Sequence, residues 1–187
     1  MTRKVIMALL GTLILLTTGC TIMAPSYMPD YTALDSLKRQ KVSKMAIAQV
    51  EPKDPTAKVN NITLRGSPLA SPSGSYAQYL EDAIKSDLTE INLFDPNSLF
   101  RLSAFLLNND INVGGFSTGY GTIEAKFSIT RNGAAKFDKT IAAETQFESS
   151  FAGAVAIPKG QIEYPYLVRA LLKKLYTDKE FINALQQ

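Results

Sequence analysis

The chain has 187 residues, 45% of them hydrophobic, with 20 Lys and Arg against 17 Asp and Glu, one Cys and no His. That length suits one domain with a real core, and the near-balance of charge argues against a nucleic-acid partner. Without His, and with a single thiol, a Ser-His-Asp triad, a Cys-His pair and most zinc sites are excluded, as is an internal disulfide.

The first twenty residues are ordered like an export signal. Thr2-Arg3-Lys4 supplies a short positive region, and Val5 to Leu16 is apolar apart from Gly11 and Thr12. The run is too short to span a bilayer comfortably and has signal-peptide proportions. Leu15-Leu16-Thr17-Thr18-Gly19-Cys20 then resembles the lipobox of bacterial lipoproteins, in which Leu and small residues precede a Cys. Thr17 departs from the usual Leu, which stands one place early as Leu16. The resemblance implies cleavage between Gly19 and Cys20, a diacylglyceryl group on the Cys20 thiol, and acylation (palmitate-type) of the new amino group. Several chains make such an anchor stable where one is marginal. Thr21, in place of Asp after the Cys, implies delivery to the outer membrane, facing the periplasm.

Cleavage before Cys20 leaves 168 residues with 18 basic and 17 acidic side chains, a balance of +1. The expected organisation is a signal peptide over 1–19, a lipidated N-terminus and flexible tether over 20–42, and a single α+β domain over 43–187. Pro25 and Pro29 among Ser, Tyr and Asp suggest the tether, with a short helix possible between Asp30 and Lys41.

Lys44 to Val50 reads as a first buried strand, stopped by Pro52 and Pro55. A short second strand is expected over Asn61 to Arg65, then a loop over Gly66 to Gly74. From Ser75 the period changes: Tyr76, Leu80, Ile84, Leu88 and Ile91 recur at three and four, while Glu81, Asp82, Lys85 and Asp87 take other faces. This predicts an amphipathic helix to Ile91. Leu99 to Leu107 suits a central strand, although Phe105-Leu106-Leu107 fits a buried helix equally well.

Gly114 to Gly121 is glycine-rich but lacks the Lys-Ser/Thr of a phosphate loop, so it is expected as a flexible loop before the hairpin, the alternative being a binding loop. Ile123, Ala125, Phe127 and Ile129 alternate with polar residues, and Asn132-Gly133 turns the chain back. A two-residue loop there would set Ile129 opposite Lys136 and Phe127 opposite Asp138, with the wrong residues facing solvent. A three-residue loop, Arg131-Asn132-Gly133, is therefore expected. It places Phe127 opposite Phe137, Ile123 opposite Ile141 and Lys126 opposite Asp138.

Phe151 to Ile162 is mostly small and apolar and ends its run before Pro158. It is expected either as coil packed over the sheet or as an exposed apolar loop, with Ala152, Ala154, Val155 and Ile157 the candidate residues for a partner, membrane or ligand. Pro165 is expected to open a helix whose core stripe is Leu167, Val168, Leu171, Leu172 and Leu175. Thr177-x-x-Glu180 reads as a capping box for a last short helix.

The expected fold is thus a mostly antiparallel sheet with helices packed on one face, preceded by the tether. Glu81-Asp82 lie on the outer side of a helix, and Glu144 and Glu148 share the wet face of a strand, so neither pair reads as a glycosidase dyad. No cofactor is expected beyond the lipid on Cys20, and no metal.

Gly19-Cys20, Tyr79-Leu80-Glu81-Asp82-Ala83-Ile84, Asn132-Gly133 with Lys139-Thr140, Phe147-Glu148-x-Ser150-Phe151 and the end from Leu167 to Ala184 together resemble the YajG-type envelope lipoproteins. More loosely, they resemble the auxiliary lipoproteins of ABC-type lipid transporters. The first resemblance implies no particular activity. The second implies a periplasmic accessory role beside a transport complex. The expectation is a non-enzymatic adaptor or accessory subunit with an envelope protein partner, the alternative being a carrier of lipid or a small apolar ligand in a groove under Ala152 to Ile157.

Overall fold

The computed structural model describes residues 21–186. The signal peptide, Gly19 and Cys20 lie outside the described residues.

The described residues form seven strands and four α-helices, in the order β1 (Ile22–Met23), α1 (Tyr31–Arg39), β2 (Ala46–Glu51), β3 (Ile62–Leu64), β4 (Ser67–Ala70), α2 (Tyr76–Glu90), β5 (Phe100–Asn112), β6 (Thr118–Arg131), β7 (Ala134–Glu148), α3 (Gly153–Tyr176) and α4 (Lys179–Leu185). They build a four-stranded sheet, β2-β5-β6-β7, and a small one, β1-β4-β3. In the large sheet only β2 and β5 run parallel. This is the expected α+β class.

One face of the large sheet carries the core. Leu102, Ala104 and Leu106 of β5, and Ile123, Ala125, Phe127 and Ile129 of β6, are all buried. The helices cover that face: α2 lies against β2, and α3 against β6 and β7. α2 begins where the sequence places it, because the Ser75 side chain accepts from the Gln78 amide and so satisfies one of the orphan donors of the first turn. The opposite face, with Arg101, Phe105 and Lys126, is open to solvent, as antiparallel sheets allow.

The β6–β7 hairpin forms, but in a different register from the expected one. Asn132 (φ 51°) and Gly133 (φ 79°) make a two-residue loop after all, with Arg131 paired to Ala134 and Thr130 to Ala135. The pairing then shifts, so that Ile129 meets Phe137, Ala125 meets Ile141 and Ile123 meets Ala143. The extra residue, Lys136, forms a bulge. A bulge changes facing by one place just as an odd loop does, and both restore apolar residues to the core side. Lys126 and Asp138 still form an ion pair, at 3.0 Å, but diagonally.

Four further expectations are corrected. Ser67 to Ala70, expected as loop, is β4, held by β3 on one side and β1 on the other. Gly114 to Gly121 is loop only at its start, since β6 begins at Thr118. The last helix is capped by Asp178, which accepts from the Glu180 and Phe181 amides, while Thr177 closes α3. The segment 21–42 is not a free tether from Thr21 onward. β1 pairs with β4, the Tyr79 hydroxyl donates to the Pro25 carbonyl at 2.9 Å, and α1 buries Ala33, Leu34 and Leu37. Among the described residues, Ile22 to Arg39 are therefore packed onto the unit formed by the chain from residue 43 onward.

Candidate functional site

The expected apolar loop is neither loop nor coil. α3 starts at Gly153 and continues through Pro158 and Pro165 to Tyr176. Each proline removes one helical hydrogen bond. For Pro158 the carbonyl that loses its partner belongs to Ala154, which is exposed. Ala152 is the residue before the helix, and its carbonyl accepts from the Val155 and Ala156 amides. Ala152, Ala154 and Val155 are exposed, Ile157 is half-buried against the core and Ala156 is fully buried.

The start of α3 is fixed by one arginine. Arg65 (φ 51°) and Gly66 (φ 83°) form the tight turn between β3 and β4, and the Arg65 side chain reaches three carbonyls. Nε and Nη2 donate to Val113 at 3.2 and 3.1 Å, Nη2 also to Ser150 at 3.0 Å, and Nη1 to Phe151 at 2.8 Å. The Ser149 amide adds a bond to the Ser117 carbonyl. Three chain segments are thereby held together at one end of the large sheet.

That clamp presents two aromatic rings to solvent. Phe116, from the β5–β6 loop, stacks on Phe151 with centroids 5.2 Å apart. They are 79% and 68% exposed, so the stack covers little of either ring. The sequence reading found Phe151 as the edge of an apolar run and missed Phe116. The missed signal was an aromatic residue with no periodic partner inside a Gly-Ser segment. The glycines nearby serve packing instead of phosphate binding: a Cβ on Gly119 would lie 2.4 Å from the Phe147 ring.

A second feature, also missed, is a buried carboxylate. Asp87 lies three residues after Ile84 on the core side of α2 and is 1% exposed, correcting its expected place on another face. Tyr27 donates to its Oδ2 at 2.8 Å, pinning the N-terminal segment to α2. Burial pushes the Asp87 carboxyl up to about 6, with the Tyr27 hydrogen bond and the Tyr176 hydroxyl working against the rise.

Among the described residues, no three His, Cys, Asp or Glu side chains converge in a way that would hold a metal ion. No helix there is long and apolar enough to cross a membrane. One surface groove, of about 180 Å³, is lined mainly by polar residues, including Lys58, Asn61, Asn108 and Asp110. The space beneath Ala152 to Ile157 is filled. Ala156 is buried there, and a Cβ on Gly160 would lie 2.5 Å from Val113 and 3.2 Å from Leu64. Of the carboxylates considered for catalysis, Glu81 pairs with Lys53 at 2.9 Å and Glu148 with Lys159 at 2.8 Å.

No protein-family model matches the chain, and no curated protein does. Solved structures do. Protein XCC0632 from Xanthomonas campestris, of the DUF330 family, superimposes with a TM-score of 0.53 at 12% identity, over 84% of this chain and 95% of that one. A protein from Caulobacter crescentus CB15, described as a lipoprotein candidate, gives a TM-score of 0.46 at 10% identity, over 83% of this chain and 96% of its own. The first of these likenesses shows a shared fold.

Proposed function

We propose that this chain is a lipid-anchored protein of the bacterial envelope, held at the outer membrane and facing the periplasm, that acts without catalysis as an adaptor or accessory subunit. The anchor in this reading is the lipobox ending in Gly19-Cys20. The observation that carries the adaptor role is the Phe116–Phe151 stack. Aromatic side chains dominate the energetics of protein contacts, and here Arg65 holds the backbone at Phe151, on whose exposed ring Phe116 stacks. A rigid presentation lowers the ordering cost of binding. Ala152, Ala154 and Val155 extend the same apolar surface. The filled space beneath them supports an adaptor over a carrier with a groove at that place.

In-cell crosslinking and affinity capture of the detergent-solubilised, tagged lipoprotein tests the reading. The expected result is a reproducible envelope partner that disappears with Phe151→Ser or Phe116→Asp. Capture of the chain alone, with lipid retained, would favour the carrier. Palmitate labelling that survives Cys20→Ser would remove the anchor.

A further inference from the structure

We infer that the outer face of the middle of α3, around Ile162 and Tyr166, together with Met23 and Met28, rests on the lipid surface in which Cys20 is anchored. The inference rests on the lipoprotein reading above and adds to it the orientation of the domain.

Ile162 and Tyr166 are four residues apart, so they lie on one side of α3, and they are 54% and 51% exposed. The N-terminal segment runs beside them in the same direction as the helix. The Gln161 side chain donates to the Met23 carbonyl at 2.7 Å, and the Arg169 guanidinium donates to that of Met28. Both methionines are themselves more than half exposed. Arg169 also lies over the Tyr166 ring, 5.2 Å from its centroid. The result is an apolar surface edged by a cation, with an aromatic ring whose hydroxyl end suits a water–lipid boundary.

Chain length then decides which side of the domain meets the membrane. Cys20 precedes Met23 by three residues, a span of about 11 Å at most. The polar layer on each side of the hydrocarbon core is only about 5–8 Å thick. An acylated Cys20 therefore brings Met23, and α3 with it, to the headgroups, because β1 is bound to β4 and leaves no slack after Ile22. The inner side of α3 packs on β6 and β7, so the open sheet face bearing Phe105 and Leu107 points away from the bilayer. Burying the exposed part of Ile162 and the methionines in lipid rather than water is favourable.

The test uses the mature lipidated chain in phosphatidylethanolamine–phosphatidylglycerol vesicles. Cys20 is acylated, so one added Cys can be labelled alone with an environment-sensitive fluorophore, at Ile162→Cys, Met28→Cys or, as control, Phe105→Cys. Circular dichroism melts confirm that each variant is folded. The expected result is blue-shifted emission at residues 162 and 28, with quenching by spin-labelled lipid several-fold stronger than at residue 105. Equal, weak quenching at all three sites, with the protein still floating with vesicles, would overturn the orientation and leave the anchor standing. Shielded emission at 162 that spin-labelled lipid does not quench would mean a protein covers this face, and would also overturn it. Failure of the mature chain to float would remove the lipoprotein reading and this inference with it.

Discussion

Asp87 gives the sharpest quantitative test of the packing. Its carboxyl is buried in α2 beside Tyr27 and Tyr176 and titrates at about 6, against an ordinary value of 3.8. The folded state therefore holds this proton more tightly than the unfolded chain does. Below about pH 3.8 both states are protonated and the group has no effect. Between 3.8 and 6 folding must retain a proton that the unfolded chain has lost, so stability falls as pH rises. Above 6 the full penalty is present. A difference of about two pH units at 1.36 kcal/mol each amounts to about 3 kcal/mol. Asp87→Asn removes the titration while its Oδ1 can still accept from Tyr27. Urea unfolding of the mature domain carrying Cys20→Ser, with and without Asp87→Asn, gives the comparison. The stability difference between the two should change by roughly 2 kcal/mol from pH 7 to pH 4, because part of the penalty is already present at pH 4, with the Asn variant relatively better at pH 7. Using the difference matters, because Glu148 and Asp178 have lowered values and their stabilisation is lost as pH falls. A difference that stays flat between pH 4 and 7 would refute the reasoning and show that water or a rearrangement solvates Asp87.

Three other perturbations probe separate contacts. Gly160→Val places a Cβ 2.5 Å from Val113 and should cost about 1–3 kcal/mol by overpacking, read from a urea midpoint. Arg65→Met removes every bond of the carbonyl clamp. Since Arg65 is exposed, the expected loss is only about 1–2 kcal/mol, but amide exchange around Ser149 to Gly153 should accelerate. Deleting Lys136 removes the bulge while keeping the two-residue turn. Ile129 then stays opposite Phe137 and Ala125 opposite Ile141 in a regular hairpin, so the variant should remain soluble and keep its near-UV circular dichroism signal. An insoluble variant without that signal would show that the bulge itself, and not only the register it restores, is needed for folding.

The hairpin shows how far local sequence information reaches. Alternation along β6 and β7 identifies both strands and the face each buries, and it shows that a plain two-residue loop would put the wrong side inward. It supplies a parity condition only. An odd loop and a bulge satisfy that condition equally, and the choice depends on how Asn132 and Gly133 accommodate positive φ beside a displaced Lys136. α2 was legible for the opposite reason: cap, period and stop all lie within its own seventeen residues, Ser75 to Ile91.

The misplaced pieces share a dependence on distant partners. β4 is four residues with a proline, and it becomes a strand because β3 and β1 supply hydrogen bonds on both edges. β1 exists only because β4 does, and the prolines beside it made the whole segment look unattached. The period of the apolar residues places Asp87 on another face of α2, yet Tyr27, sixty residues earlier in the chain, holds it inside. Pro158 and Pro165 were read as boundaries, whereas Ala156, Tyr164 and Leu167 on the same helix are all fully buried. Tertiary burial along one continuous face outweighs two lost hydrogen bonds. The same fact governs the functional reading. A helix beginning at Gly153 fixes Ala152, Ala154 and Val155 in place beside the Phe116–Phe151 stack, where a loop would have left them free. It also brings Ile162 and Tyr166 alongside the segment that follows Cys20. The proposed partner-facing end and the proposed membrane-facing side would both follow from this one element, and a charge at Phe116 should abolish partner capture without releasing the chain from vesicles.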